Sequence, residues 1–238
     1  MLAIYKREMR GYFTTSIGYI FLASALVIAA AIFSIATVFS ESADASVYFA
    51  GLIFVLMIFL PILTMKAFSE EKRTKTEQLL LTSPISTTQM VLGKFFSSFT
   101  MLVIFLALSL IFFIPLSAFI PEGSSFNMAL VFGNIIALLL VGMCVIAIGV
   151  FVSSLTENQF AAIVITIVIL LGMFAISLFS AVIDVYFIRV IFDWLSIYTR
   201  YQAFTYGIFD ISALVYYISV SGVFIFLTVR VFEARKYR

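Results

Sequence analysis

The chain has no histidine and a single cysteine, Cys144, among its 238 residues, and only 11% of it is Asp, Glu, Lys or Arg. Without histidine there is no imidazole to relay protons or hold a metal near neutral pH. One cysteine excludes an intramolecular disulfide and a thiolate metal cluster. With no base close to it in sequence, Cys144 reads as a small packing residue rather than a nucleophile. Four prolines and eleven glycines exclude a low-complexity chain. What is there instead is apolar surface: 64% of the residues are apolar, against about 45–50% in an ordinary soluble domain that is also about 25% charged. A globule of this length has too little interior to hide so much apolar surface from water. That excludes a soluble enzyme, a disordered chain and a secreted disulfide scaffold. It leaves an all-α integral membrane protein.

A bilayer-crossing helix needs about 20 apolar residues, and six runs qualify: 17–40, 47–68, 96–120, 126–153, 160–182 and 210–229. The period-2 alternation of a membrane barrel is missing. No soluble domain stands on either side, so residues 1–238 read as one transmembrane domain. Pro61 should kink the second run, because its missing N–H breaks the helical ladder. Lys6, Arg7 and Arg10 before the first run and Ala43-Asp44-Ala45 after it imitate a cleaved leader. The run's roughly 23 apolar residues exceed the about 7–15 of a leader's core, so it is expected to stay as a span.

Twelve of the fourteen basic residues fall on one side of these spans: at the N-terminus, in the loop between the second and third runs, and in the C-terminal tail. The other side carries only Arg189 and Arg200. The positive-inside rule then puts both termini and the loops 69–94 and 153–159 in the cytoplasm of a multi-pass cell-membrane protein. No Asp, Glu, Lys or Arg lies in the middle of a span. Such residues usually mark ion pathways and proton relays, so their absence argues against a gradient-coupled carrier and a charge-lined channel. The net charge of +2 gives no reason to expect nucleic acid.

Three segments outside the spans carry chemistry. In the first, 1–14, apolar positions 2, 5, 9, 12 and 13 share one helical face, which predicts an amphipathic helix lying in the membrane interface. In the second, Glu71–Lys75 and Arg73–Glu77 are spaced as i, i+4 pairs, predicting a helix over about 71–82. Leu79, Leu80 and Leu81 then form an apolar knob, Pro84 stops the helix, and Ser86-Thr87-Thr88-Gln89 fits a capping box that starts the next one. A short helix with one knob suits docking into a soluble partner; a solvated connector resting on lipid headgroups is the other reading. Gly93-Lys94 does not belong to a phosphate loop, which would need Gly at 88 and Ser or Thr at 95, where the chain has Thr88 and Phe95. The third segment, 183–209, is rich in aromatics and too polar to span. It reads as short helices dipping into the outer leaflet, either an interfacial anchor or a gate, with Phe192, Trp194, Tyr198 and Tyr201 as gate candidates. Gly142 and Gly149, seven apart on the fourth span, predict a close helix contact.

The whole constellation resembles the membrane subunit of type-2 ABC exporters, the ABC-2 permease family, and within it the gliding-motility and nitrous-oxide-reductase maturation branch. The resemblance rests on Tyr5-Lys6-Arg7-Glu8 and on the run from Phe68-Ser69-Glu70-Glu71-Lys72-Arg73 through Thr74-Lys75-Thr76-Glu77-Gln78-Leu79-Leu80. Ser83-Pro84-Ile85, Leu92-Gly93-Lys94, Ser153-Ser154-Leu155-Thr156-Glu157-Asn158-Gln159, Phe204-Thr205-Tyr206-Gly207-Ile208-Phe209-Asp210 and Phe226-Leu227-Thr228-Val229-Arg230 support it. The resemblance implies a prokaryotic cell membrane, a homo- or heterodimer of permease subunits, and a cytoplasmic ABC ATPase subunit on each. ATP and Mg2+ would bind that ATPase, and this chain would carry no cofactor. An extracytoplasmic accessory protein is a further partner of such complexes. Residues 71–82 would be the coupling helix seated in the ATPase, with Glu71, Arg73, Thr76, Glu77, Leu80 and Leu81 as contacts. Glu71 and Glu77 would meet basic groups there. Tyr5, Lys6 and Arg7 would belong to the connecting helix, and 183–209 would be the re-entrant pair between the fifth and sixth spans. Many relatives carry Gly near Thr74 or Lys75, which this chain lacks. The cargo expected is amphipathic, lipid-like or peptide. Two other classes fit the residues: a non-transporting membrane scaffold using the same loop for docking, and an independent channel or carrier. Nucleotide-dependent opening at 183–209 separates a transporter from a scaffold.

Overall fold

In the computed structural model the described residues are 1–39, 45–78, 85–114, 128–180, 186–205, 207 and 210–236, and every regular element among them is helical. They are α1 (Leu2–Thr14), α2 (Ser16–Phe33, continued by a π-helical turn Ser34–Val38), α3 (Ser46–Thr64), α4 (Ser69–Arg73), α5 (Thr87–Ser109, continued by a 3-10 turn Leu110–Phe113), α6 (Met128–Leu155), α7 (Gln159–Ser180), α8 (Tyr186–Leu195), α9 (Ile197–Thr205) and α10 (Ile211–Lys236). Six segments are long and apolar enough to cross a membrane. Each overlaps one of the six runs read from the sequence, within the described residues.

α6 is the centre of the bundle and packs against α3, α5, α7, α9 and α10. Its most apolar window is 67% buried, against 17% for α7. A helix apolar on all sides can only be central or lipid-facing, and α6 takes the centre. Two glycines let it. A Cβ on Gly149 would lie 2.2 Å from Thr64 Oγ1 and 3.0 Å from its Cβ, so α3 and α6 meet there at backbone distance. A Cβ on Gly142 would lie 2.3 Å from a methyl of Leu102 on α5. The expected close contact is present, with each glycine facing a different neighbour.

α3 continues through Pro61 and ends at Thr64. α1 packs on α5, but on a face turned from the one read in the sequence. Ile4 is buried against Gly93, and Met9 and Tyr12 pack on the core, while Leu2 and Phe13 stay exposed. Polar groups set this rotation: Glu8 turns inward to Lys94, and Tyr5 and Tyr12 share hydrogen bonds with Thr100 (3.1 Å) and Ser98 (3.1 Å). Burial pushes the Tyr12 phenol up to about 12, so it stays a neutral partner.

The expected helix over 71–82 is interrupted at 74–76; Glu77 and Gln78 are helical again, and 79–82 lie outside the described residues. α4 stops at Arg73 and Lys75 adopts a left-handed backbone, φ 58°. An L-residue resists that conformation because its Cβ crowds the following carbonyl oxygen. The turn therefore falls where the resemblance leads one to expect glycine. Without a helix through Lys75, the Glu71–Lys75 and Arg73–Glu77 pairs do not form.

Candidate functional site

Both chain ends, α1, α4 and the start of α5 collect at one end of the bundle. There a buried amine organises four charges. Lys94 on α5 is 2% exposed, and its Nζ lies 2.8 Å from Glu71 Oε1 on α4 and 3.4 Å from Glu8 Oε1 on α1. It also donates to the Ala67 carbonyl and sits 4.8 Å above the centre of the Phe68 ring. Arg7 closes the group with Nη2 2.6 Å from Glu71 Oε1 and 2.7 Å from Glu8 Oε1. Two cations and two anions thus share one pocket between α1, α4 and α5. A buried ammonium this far from water persists only when paired and hydrogen-bonded. Partial burial opposes the charge on Arg7, but its bonds to Glu8 and Glu71 outweigh that and hold the guanidinium pKa above its usual value. The second Glu71 oxygen, Oε2, is buried without a hydrogen bond among the described residues.

α4 is anchored to α6 as well. Ser153 Oγ accepts from the backbone N–H of Phe68 (3.0 Å) and of Ser69 (3.1 Å), and donates to the Met65 carbonyl (2.9 Å). One hydroxyl thereby caps the start of a helix whose first N–H groups have no partner of their own. Lys72 reaches the other side of the same loop, 3.5 Å from Glu157 and 3.3 Å from the Leu155 carbonyl. Glu77 pairs with Arg235 of α10 at 3.0 Å, and Arg235 also donates to the Ser154 carbonyl (2.8 Å). At the start of α5, Ser86 Oγ accepts from Gln89 N at 3.3 Å, which is one half of the expected capping box.

The coupling candidates therefore separate. Glu71 and Glu77 are engaged inside the chain. Arg73, Lys75 and Thr76 are exposed, as is Lys6. The Thr76 hydroxyl lies 2.9 Å from that of Thr74. Arg73 lines a shallow recess of about 370 Å³ with Glu157, Asn158, Gln159 and Phe160, and no carboxylate pairs with it among the described residues. Leu80 and Leu81 lie outside the described residues. Lys94, to which the sequence assigns no site role beyond its place among the basic residues and in Leu92-Gly93-Lys94, is the centre of the cluster. Its signal was weak, since its partners stand 23 and 86 positions away in sequence.

At the opposite end, α8 and α9 take up most of 183–209. The break between them comes from Ser196, whose Oγ accepts from Thr199 N (3.2 Å) and Thr199 Oγ1 (2.9 Å) and so caps α9. Three tyrosine hydroxyls hold the pair down: Tyr201 donates to Asn134 Oδ1 on α6 (2.9 Å), Tyr216 to the Leu195 carbonyl (3.0 Å) and Tyr217 to the Ile197 carbonyl (2.7 Å). Of the four gate candidates, Tyr201 is fully buried. Tyr198 is half-buried against Phe174 (5.1 Å) and Tyr201 (6.4 Å). Phe192 is half-buried. Trp194 is exposed, edge-on to Tyr216 at 5.9 Å, and faces a groove of about 730 Å³.

The sequence model of a family described as ABC-2 family transporter protein matches residues 33–232. No curated protein matches the chain.

Proposed function

The chain belongs to the ABC-2 family of transporter proteins, and from that membership we propose that it is the permease subunit of an ATP-driven exporter, working with a separate cytoplasmic ATPase. As a member with six apolar spans it is a multi-pass membrane protein and a transporter component. The observation that carries the finer reading is the Lys94–Glu71–Glu8–Arg7 group built round the buried Lys94 ammonium. It ties the segment after the second span to the N-terminal helix and to the third span, so displacing α4 moves all three together. ATP binding would close the ATPase dimer, push on α4 and bias the bundle between two states. The single transmembrane domain has both termini in the cytoplasm, with 1–14 as connecting helix and α4 through residue 82 as the coupling segment.

The charges favour one electrostatic pattern for the partner. Glu71 and Glu77 are neutralised within the chain, while Arg73, Lys75 and Lys6 project outward. The complementary ATPase surface is acidic, with Thr76 as a polar contact and Leu80 and Leu81 filling its cleft. α7, the least buried span, is the face left for a second permease subunit. α8 and α9 form the outer pair beside the exit, and the cargo is amphipathic, lipid-like or peptide.

The test is to solubilise the tagged chain from its native membrane and identify what co-purifies. A stoichiometric soluble ATPase is expected, lost on Leu80→Asp and weakened by Arg73→Glu, while membrane insertion stays intact. A homo-oligomer with no ATPase, or ATPase stimulation unchanged by Leu80→Asp, overturns the assignment.

A further inference from the structure

The groove at the end away from the termini is apolar along its length and cationic at its head. Met173 of α7, Leu195 of α8 and Val215, Val223 and Phe224 of α10 form the trough, and Trp194 stands at its rim. Its volume of about 730 Å³ lies within the range that holds small organic ligands, about 300–1,000 Å³. Arg200 of α9 stands at the head. Its Nη1 donates to Ser212 Oγ at 2.9 Å, its Cζ lies 4.6 Å above the Tyr216 ring, and its Nε is buried with no acceptor. No carboxylate pairs with it among the described residues. A guanidinium with unused donors and, among the described residues, no counter-ion, at the top of an apolar trough open to the outside of the bundle, matches a ligand that is anionic at one end and aliphatic at the other.

We propose that this groove binds an anionic phospholipid of the surrounding bilayer, its phosphate on the Arg200 guanidinium and one acyl chain laid along α10. The dimensions agree. The groove residues on α10 run from Ile211 to Phe224, about 20 Å of helix axis at about 1.5 Å per residue. A chain running from the interface to the bilayer midplane needs about 15 Å. The charge agrees too: Arg200 is one of only two basic residues on its side of the spans, so attraction for an anionic headgroup is concentrated at this point. The site stands apart from the Lys94 cluster and does not depend on ATP coupling.

Trp194 is the only tryptophan of the chain and lines the groove, so its fluorescence reads occupancy directly. The full chain is reconstituted in phosphatidylcholine vesicles that contain a minor fraction of either phosphatidylglycerol or phosphatidylcholine brominated on the acyl chain. Quenching by the brominated phosphatidylglycerol is expected to correspond to about a fivefold local enrichment over the zwitterionic lipid, the preference one basic residue near the surface confers. Arg200→Gln should bring the two lipids to the same level, and Arg200→Lys should retain part of the difference. Ser219→Phe fills the exposed trough without touching the charge and should lower quenching by both. Equal quenching by the two lipids in the wild type, or a preference that survives Arg200→Gln, overturns the proposal. No quenching by either lipid means that protein, such as a second copy of the chain, covers the groove, and overturns it as well.

Discussion

Lys94 is enclosed by partners it cannot lose cheaply. Replacing it with methionine removes the ammonium and leaves Glu8 and Glu71, 22% and 16% exposed, facing each other across the former pair. Breaking a fully buried pair costs about 3–5 kcal/mol; with Arg7 still present and some solvent access, Lys94→Met should cost about 2–3 kcal/mol. The check is a lowered Tm for the purified chain in detergent, with Lys94→Met/Glu71→Gln recovering part of the loss, since contacting residues do not act additively. An unchanged Tm would show that the pair is dispensable. Lys75 makes the opposite kind of prediction. Its left-handed backbone, φ 58°, costs an L-residue about 1–2 kcal/mol, and glycine avoids that while losing about 0.5–1 kcal/mol in chain entropy. Lys75→Gly should therefore be neutral or stabilising by up to about 1.5 kcal/mol, and Lys75→Val, β-branched at the same φ, should be destabilising. Paired thermal melts of the two variants decide it.

At the scale of elements, α4 is only five residues long, below the length at which a helix holds itself together in water. Its stability is borrowed from Ser153. Ser153→Ala leaves the N–H groups of Phe68 and Ser69 without their acceptor, while the Met65 carbonyl keeps the Ser69 hydroxyl as donor, a loss of about 1–2 kcal/mol for a missing cap. Hydrogen exchange over residues 68–73 should accelerate while α6 itself stays protected; equal protection in both proteins would refute the capping role. The same segment shows what the sequence could and could not display. The six spans were legible because hydropathy over about 20 residues is a property of the chain alone. That 183–209 is too polar to span and holds short helices was legible from composition, while their being a pair came only from the family resemblance. The partners of Glu71 and Glu77 were not. Local spacing offered Lys75 and Arg73, yet the chain turns at Lys75 and the carboxylates pair instead with Lys94, Arg7 and Arg235. Tyr201 and Asn134 meet across 67 positions, and nothing in either neighbourhood announces the bond. Periodicity reports which face of a helix is apolar. It does not report which buried polar groups find one another from different helices, and α1 turned toward Lys94 for that reason.

For the whole molecule, the arrangement of charge sets an orientation that can be measured. α1, α4, the 153–159 loop and the last turns of α10 sit at one end of the bundle, joined by the Lys72–Glu157 and Arg235–Glu77 pairs, and the sequence puts twelve of its fourteen basic residues on this side of the spans. Basic residues close to span ends resist translocation, so this end should stay in the cytoplasm. The one native cysteine, Cys144, is buried, which leaves a quiet background for single introduced cysteines. Lys6→Cys and Lys236→Cys occupy exposed positions at the two termini, and Gln202→Cys an exposed position on α9 at the other end. A membrane-impermeant maleimide added to intact cells should label position 202 alone, and positions 6 and 236 only after the cells are opened. Labelling of 6 and 236 from outside would invert the orientation, and would remove the α4 face from reach of any cytoplasmic ATPase. Labelling of one terminus from each side would mean that one of the six apolar segments does not cross. Since the ion pairs at this end link α1 to α4 (Arg7–Glu71), α4 to the 153–159 loop (Lys72–Glu157) and Glu77 to α10 (Arg235), such a result would contradict the packing as well as the charge rule, because residues on opposite faces of a bilayer cannot pair.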